Sequence, residues 1–210
     1  MTALNFLFEP NRVCIAMDTM SVEAVSKRPS LFTTKIFPLV HLGGVMCGTG
    51  NGPFVLDWFL YVQSSVLVRD IPHLDEFAPE QLRKLAAHYN LSEKNTVTIY
   101  QFEFSDLERR YRGFAYRSEK SFASEELQYG IGTKPPIEVK PIESLPEGFI
   151  ELMKRQHAED QCRPVSEQVG IGGDIHFFVM TESGMSLSRC HRFENREVCY
   201  NEMLRNVLKV

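Results

Sequence analysis

The chain predicts a layered α+β domain. Short apolar runs come in pairs joined by turn residues, which makes antiparallel strands, and apolar residues at helical spacing lie between those pairs. The bulk agrees: 210 residues, 43% of them hydrophobic and 24% charged, suffice for one substantial core, so residues 1–210 are read as one domain.

The first pair is residues 3–8 and 13–18, apolar runs that flank Glu9-Pro10-Asn11-Arg12, a hairpin-turn composition. Strand-like segments follow at Leu31–Phe37 and Leu39–Cys47, with Pro38 between them. A glycine-rich turn, Gly48 to Pro53, then opens onto a helix over Phe54–Val68, where Val55, Phe59, Val62 and Val66 recur at helical spacing. Pro79–Tyr89 predicts a second helix, with Leu82, Leu85, Ala86 and Tyr89 on one face and Pro79 in the first turn.

Asn95–Phe104 and Tyr111–Arg117 return to strand character, and residues 118–145 read as mostly irregular. Ser144-Leu145-Pro146-Glu147 has the capping-box pattern for a third helix with Phe149, Ile150, Met153 and His157 inward. Asp174–Thr181 and Met185–His191, joined through Glu182-Ser183-Gly184, predict a late hairpin, and Asn195–Leu208 a terminal helix or strand. Paired strands with helices between them give each sheet one face on another sheet and one under helices.

Several functions are disfavoured by composition. A net charge of −4 with no basic stripe leaves no nucleic-acid footprint, and Arg109, Arg110 and Arg112 stand beside acidic residues as a solvated edge. The five cysteines have no Cys-x-x-Cys pair and the six histidines no ligand spacing, so neither a disulfide framework, a metal site nor a cofactor is expected. No apolar stretch is long enough to span a bilayer and no signal-peptide order opens the chain, so no membrane partner is expected and the cytoplasm is the expected compartment.

The chemistry-bearing residues concentrate near the start. Removing Met1 exposes Thr2, which then carries a hydroxyl and a free α-amine on one residue. A threonine hydroxyl is a poor nucleophile until a base takes its proton, and an α-amine of pKa roughly 7.7–8.0 is such a base near neutrality. A cation at Lys35 lowers the pKa of both groups, Asp18 holds that cation, and backbone N–H groups around Gly48–Gly50 can receive an oxyanion. Whether Asp18 shares a face with Thr2 depends on the turn: a three-residue loop puts them together, a two- or four-residue loop on opposite faces.

Thr2 to Phe6 and Val13 to Thr19, then Lys35-Ile36-Phe37-Pro38-Leu39, then Val45-Met46-Cys47-Gly48-Thr49-Gly50, resemble the proteasome β-subunit family and its bacterial HslV relatives among the N-terminal nucleophile hydrolases. The threonine-to-aspartate spacing matches, and the lysine stands one residue late. Tyr129-Gly130-Ile131-Gly132-Thr133 resembles the family's Gly-Ser segment, with Thr133 in the serine's place, and Gly170 to His176 with Thr181 to Gly184 resembles its late strand pair.

The resemblance implies a four-layer αββα sandwich, threonine-dependent hydrolysis of a peptide or other amide, catalytic roles for Thr2, Asp18, Lys35, Gly48 and Thr133, and assembly into a homo-oligomeric ring. An ATP-driven unfoldase partner is not specified by these residues. The chain departs from the family pattern at Met20, where an arginine stands, and at Gln168 and Ile171, where an aspartate and a serine stand. Two other readings stay open: a non-catalytic subunit that keeps the fold as scaffold or binding partner, and an α+β binding domain whose Gly48–Gly52 loop holds an anion at a helix start.

Overall fold

The computed structural model describes residues 2–23, 25–89, 91–92 and 95–208. In chain order the strands are β1 (Leu4–Glu9), β2 (Arg12–Asp18), β3 (Met20–Val22), β4 (Pro29–Phe32), β5 (Ile36–Leu39) and β6 (Gly44–Gly50). There follow β7 (Val97–Ser105), β8 (Arg110–Arg117), β9 (Ser124–Glu126), β10 (Gly130–Lys134), β11 (Asp174–Thr181) and β12 (Gly184–Arg192). The α-helices are α1 (Gly52–Ser64), α2 (Ile71–Asp75), α3 (Ala78–Ala86), α4 (Glu147–Gln161) and α5 (Arg196–Val207).

These elements make a mixed α+β protein with three antiparallel sheets among the described residues. The first sheet runs β10-β1-β2-β11-β12, the second β5-β6-β7-β8-β9, and β3-β4 forms a small third. Alternation along the strands sorts their side chains into separate cores. Leu4, Phe6, Phe8, Ile15 and Met17 of the first sheet meet Val45, Cys47, Tyr100 and Phe102 of the second. The outer face of the second sheet packs Met46, Val97 and Ile99 under Phe54, Trp58 and Val62 of α1 with Leu74 of α2 and Leu82 of α3. The outer face of the first packs Ala3, Cys14 and Ala16 under Phe149, Leu152 and Met153 of α4. This arrangement is compatible with an αββα sandwich.

Local sequence explains the main elements. Asn51 caps α1 by accepting from Phe54 N at 3.1 Å, and Pro53 sits in the first turn, where its missing N–H costs nothing. Pro38 stands inside β5 rather than between two strands. Phe104 N donates to Gly43 O, so alternate residues of β6 bond toward β7 and the even-numbered ones toward β5. Pro38 faces Val45, an odd position, so its donor-less nitrogen points to the open edge of the sheet.

Other expectations are corrected. Residues 118–145 contain β9 and β10, and β10 completes the first sheet beside β1. The helix start expected at Ser144 falls at Pro146, with no side-chain cap; Ser144 contributes only its carbonyl, accepting from Gly148 N at 3.0 Å. Of the two forms expected for residues 195–208, the helix is the one found: α5, Arg196–Val207, lies against β4. Among the described residues, no helix is long and apolar enough to cross a membrane.

Candidate active site

The first hairpin closes with a two-residue turn: Glu9 stands opposite Arg12 and Leu4 opposite Met17. Strict alternation on that register places Thr2 and Asp18 on opposite faces. They nevertheless touch, because Thr2 and Ala3 precede the first strand residue and Asp18 is the last of β2. The carboxylate reaches across the sheet's end, with Oδ1 accepting from Thr2 Oγ1 at 3.0 Å and from Ala3 N at 2.9 Å.

Lys35 arrives from the second sheet, one residue ahead of β5. Its ammonium donates to Thr2 Oγ1, to Asp18 Oδ1 at 3.2 Å and to Met20 O at 2.6 Å. The Asp18 side chain is wholly buried and that of Lys35 is 12% exposed, so little water screens the pair. Burial pushes the Lys35 ammonium below the ordinary lysine range, and the Asp18 carboxylate opposes that shift. Thr2, Asp18 and Lys35 thus form one contact group joining both sheets.

A late loop completes the carboxylate's surroundings. Gly172 N donates to Asp18 Oδ2 at 3.3 Å, and Gly172 O accepts from Met20 N at 3.1 Å. The loop is held from α4: Asp160 accepts from Val169 N at 2.7 Å, Gly170 N at 2.9 Å and Ile171 N at 3.4 Å. His157 Nδ1 contacts Ile171 O at 2.9 Å. Sequence reasoning misses Asp160, although a signal exists. It recurs with Phe149, Met153 and His157 at helical spacing, and a carboxylate on an apolar face needs partners.

Gly48 lies on β6 one step beyond the Ile36–Cys47 pair, so the register sets it across from Lys35 with its N–H on the β5 side. A side chain there meets Val55 Cγ1 and Cγ2 at 2.8 Å, so close packing of α1 also demands glycine. Thr133 stands on β10 opposite Asn5, and no hydrogen bond joins it to Thr2, Asp18 or Lys35. Ile171 is buried under α4, and Gln168 donates to Arg163 O at 3.0 Å; among the described residues neither side chain hydrogen-bonds to the group. Met1 lies outside the described residues.

Among the described residues no cluster of His, Cys, Asp and Glu could hold a metal ion. The arrangement offers a hydroxyl in contact with a buried cation and a carboxylate, which suits activation of that hydroxyl as a nucleophile. No protein-family model matches the chain, and no curated protein matches its sequence.

Proposed function

We propose that the chain is an N-terminal threonine hydrolase of the αββα, proteasome-like class, cleaving a peptide or other amide bond after Met1 is removed. The observation that carries this reading is the Thr2–Asp18–Lys35 contact group, built from residues far apart in the chain. Thr2 Oγ1 attacks the carbonyl carbon, and its proton passes to the freed α-amine. Lys35, donating to Oγ1, stabilises the developing alkoxide, and Asp18 fixes Lys35 in place. The Gly48 N–H is assigned to the oxyanion. The α-amine returns the proton to the departing nitrogen, leaving an ester on Thr2, and water activated by the same amine releases the acid.

A second reading, a non-catalytic subunit in a ring of like chains, draws on Ile171 and Gln168. The resemblance puts polar supports at these positions, and here Ile171 is packed in an apolar cluster and Gln168 is bonded to Arg163 O. One experiment separates the two. Intact-mass measurement on protein made in its own host reports the state of Met1, and a fluorogenic peptide assay compares the processed chain with Thr2→Ala. The expected outcome is complete loss of turnover and of adduct formation with a threonine-directed electrophile. A retained Met1, or equal turnover in the variant, excludes Thr2 as nucleophile.

A further inference from the structure

Lys134 is a partly buried ammonium with too few partners. It stands on β10 opposite Leu4, on the face that meets the second sheet, and reaches across to donate to Thr98 Oγ1 at 2.9 Å. An ammonium has three donors, and this neutral hydroxyl is its one hydrogen-bond acceptor among the described residues. No carboxylate forms a salt bridge with it there. Glu119 acts on the ammonium through space without bonding to it, and the neighbouring Arg117, which repels it, is held by Glu125 at 2.6 Å. An ammonium drawn partly out of water with no carboxylate in hydrogen-bond reach is costly, and an anion bonded to it would offset that cost.

A second observation points the same way. Thr49 faces Thr98 across the β6–β7 ladder, which sets two hydroxyls side by side on the face toward the first sheet. Thr49 is 2% exposed and its Oγ1 has no hydrogen-bond partner among the described residues. Its neighbour in sequence is Gly48, which faces Lys35. Thr98 is thus bonded by Lys134, and Thr49 beside it stands on β6 two residues past Cys47, at the strand end from which Lys35 approaches.

We propose that Lys134, Thr98 and Thr49 form a subsite beside Thr2 that takes a carboxylate of the substrate, from an acidic side chain or from a chain terminus. This deepens the hydrolase reading and rests on it for the word substrate. The carboxylate accepts from the Lys134 ammonium and from the Thr49 hydroxyl, giving both a partner, and holds the scissile bond toward Thr2.

The test uses the full chain with Met1 removed and three matched fluorogenic peptides: a blocked one containing glutamate, a blocked one containing glutamine, and the glutamine peptide with a free C-terminus. One carboxylate-bearing peptide is expected to exceed the neutral one in kcat/KM by about tenfold, the order of a charge-assisted contact. Which of the two does so identifies the carboxylate's source. Lys134→Met should bring that ratio to about one, and Thr49→Val, nearly isosteric and fold-preserving, should narrow it. A ratio near one in the wild type, or unchanged in both variants, overturns the proposal. A binding arm stands apart from catalysis: N-acetylglutamate should raise the melting temperature of the wild type more than N-acetylglutamine does, and Lys134→Met should erase the difference. That result in a chain without turnover keeps the subsite and removes the hydrolase reading. Turnover without any carboxylate preference does the reverse.

Discussion

Asp18 and Glu103 are both 1% exposed, one on the first sheet and one on the second, in contrasting surroundings. Asp18 accepts from two backbone N–H groups, a hydroxyl and an ammonium, so both its oxygens are occupied. Among the described residues Glu103, on β7 opposite Gly44, accepts only from Ile71 N at 2.7 Å, and its Oε1 has no partner. Burial pushes the Glu103 carboxyl up to about 7; Asp70 and Glu108 add to this, while Ile71 N and Arg112 oppose it. Burial alone therefore says little about a carboxylate's task. The donors aimed at it decide whether it can hold a charge.

The largest effect should come from Asp18→Asn, which leaves the Lys35 ammonium buried without its counter-ion. A loss of about 3–5 kcal/mol in urea unfolding is expected, together with loss of peptide turnover. Wild-type stability in that variant breaks the comparison, since Asp18 would then be no better anchored than Glu103.

Glu103→Gln sharpens the other side. With a folded pKa of about 7 against 4.5 for an ordinary glutamate, the native chain binds more protons than the unfolded chain between those values. That contribution to stability is complete below about pH 4.5 and is lost as pH rises through 7. Above pH 8 the variant should exceed wild type by on the order of 3 kcal/mol, with the two similar at pH 4. Urea midpoints at the two pH values measure it, and parallel curves would remove the contrast.

Asp160→Asn should cost less, about 1–3 kcal/mol, because it weakens the hold on backbone donors without stranding a cation. Since the released loop carries Gly172 to Asp18, turnover should fall in kcat more than in KM. A change confined to stability would make Asp160 purely structural.

Sequence patterning reached the parts whose signals are local. The first hairpin, α1, the long β7–β8 pair and the late hairpin all show in their own residues, whereas the gathering of Thr2, Asp18 and Lys35 hinges on a turn length that the residues leave open and is made by the strand end and by the second sheet. What it missed depends on distant partners. β10 sits in a Gly- and Pro-containing stretch and becomes a strand by pairing with β1, more than a hundred residues away, and α2 is only five residues long. Thr133 shows the same limit: its neighbour is chosen by that pairing, which sets it against Asn5. Asp160 and Lys134 are ordinary charges until the fold shows what surrounds them.

The Lys35 ammonium comes from a different sheet than the Thr2 hydroxyl and the Asp18 carboxylate it contacts. A chain still emerging from synthesis, with only its first hairpin formed, therefore holds the hydroxyl and the carboxylate but not the activating cation. Under the proposed hydrolysis, the group is incomplete in nascent and half-assembled chains, which are the ones surrounded by exposed peptide bonds, and is complete only when the two sheets close on each other.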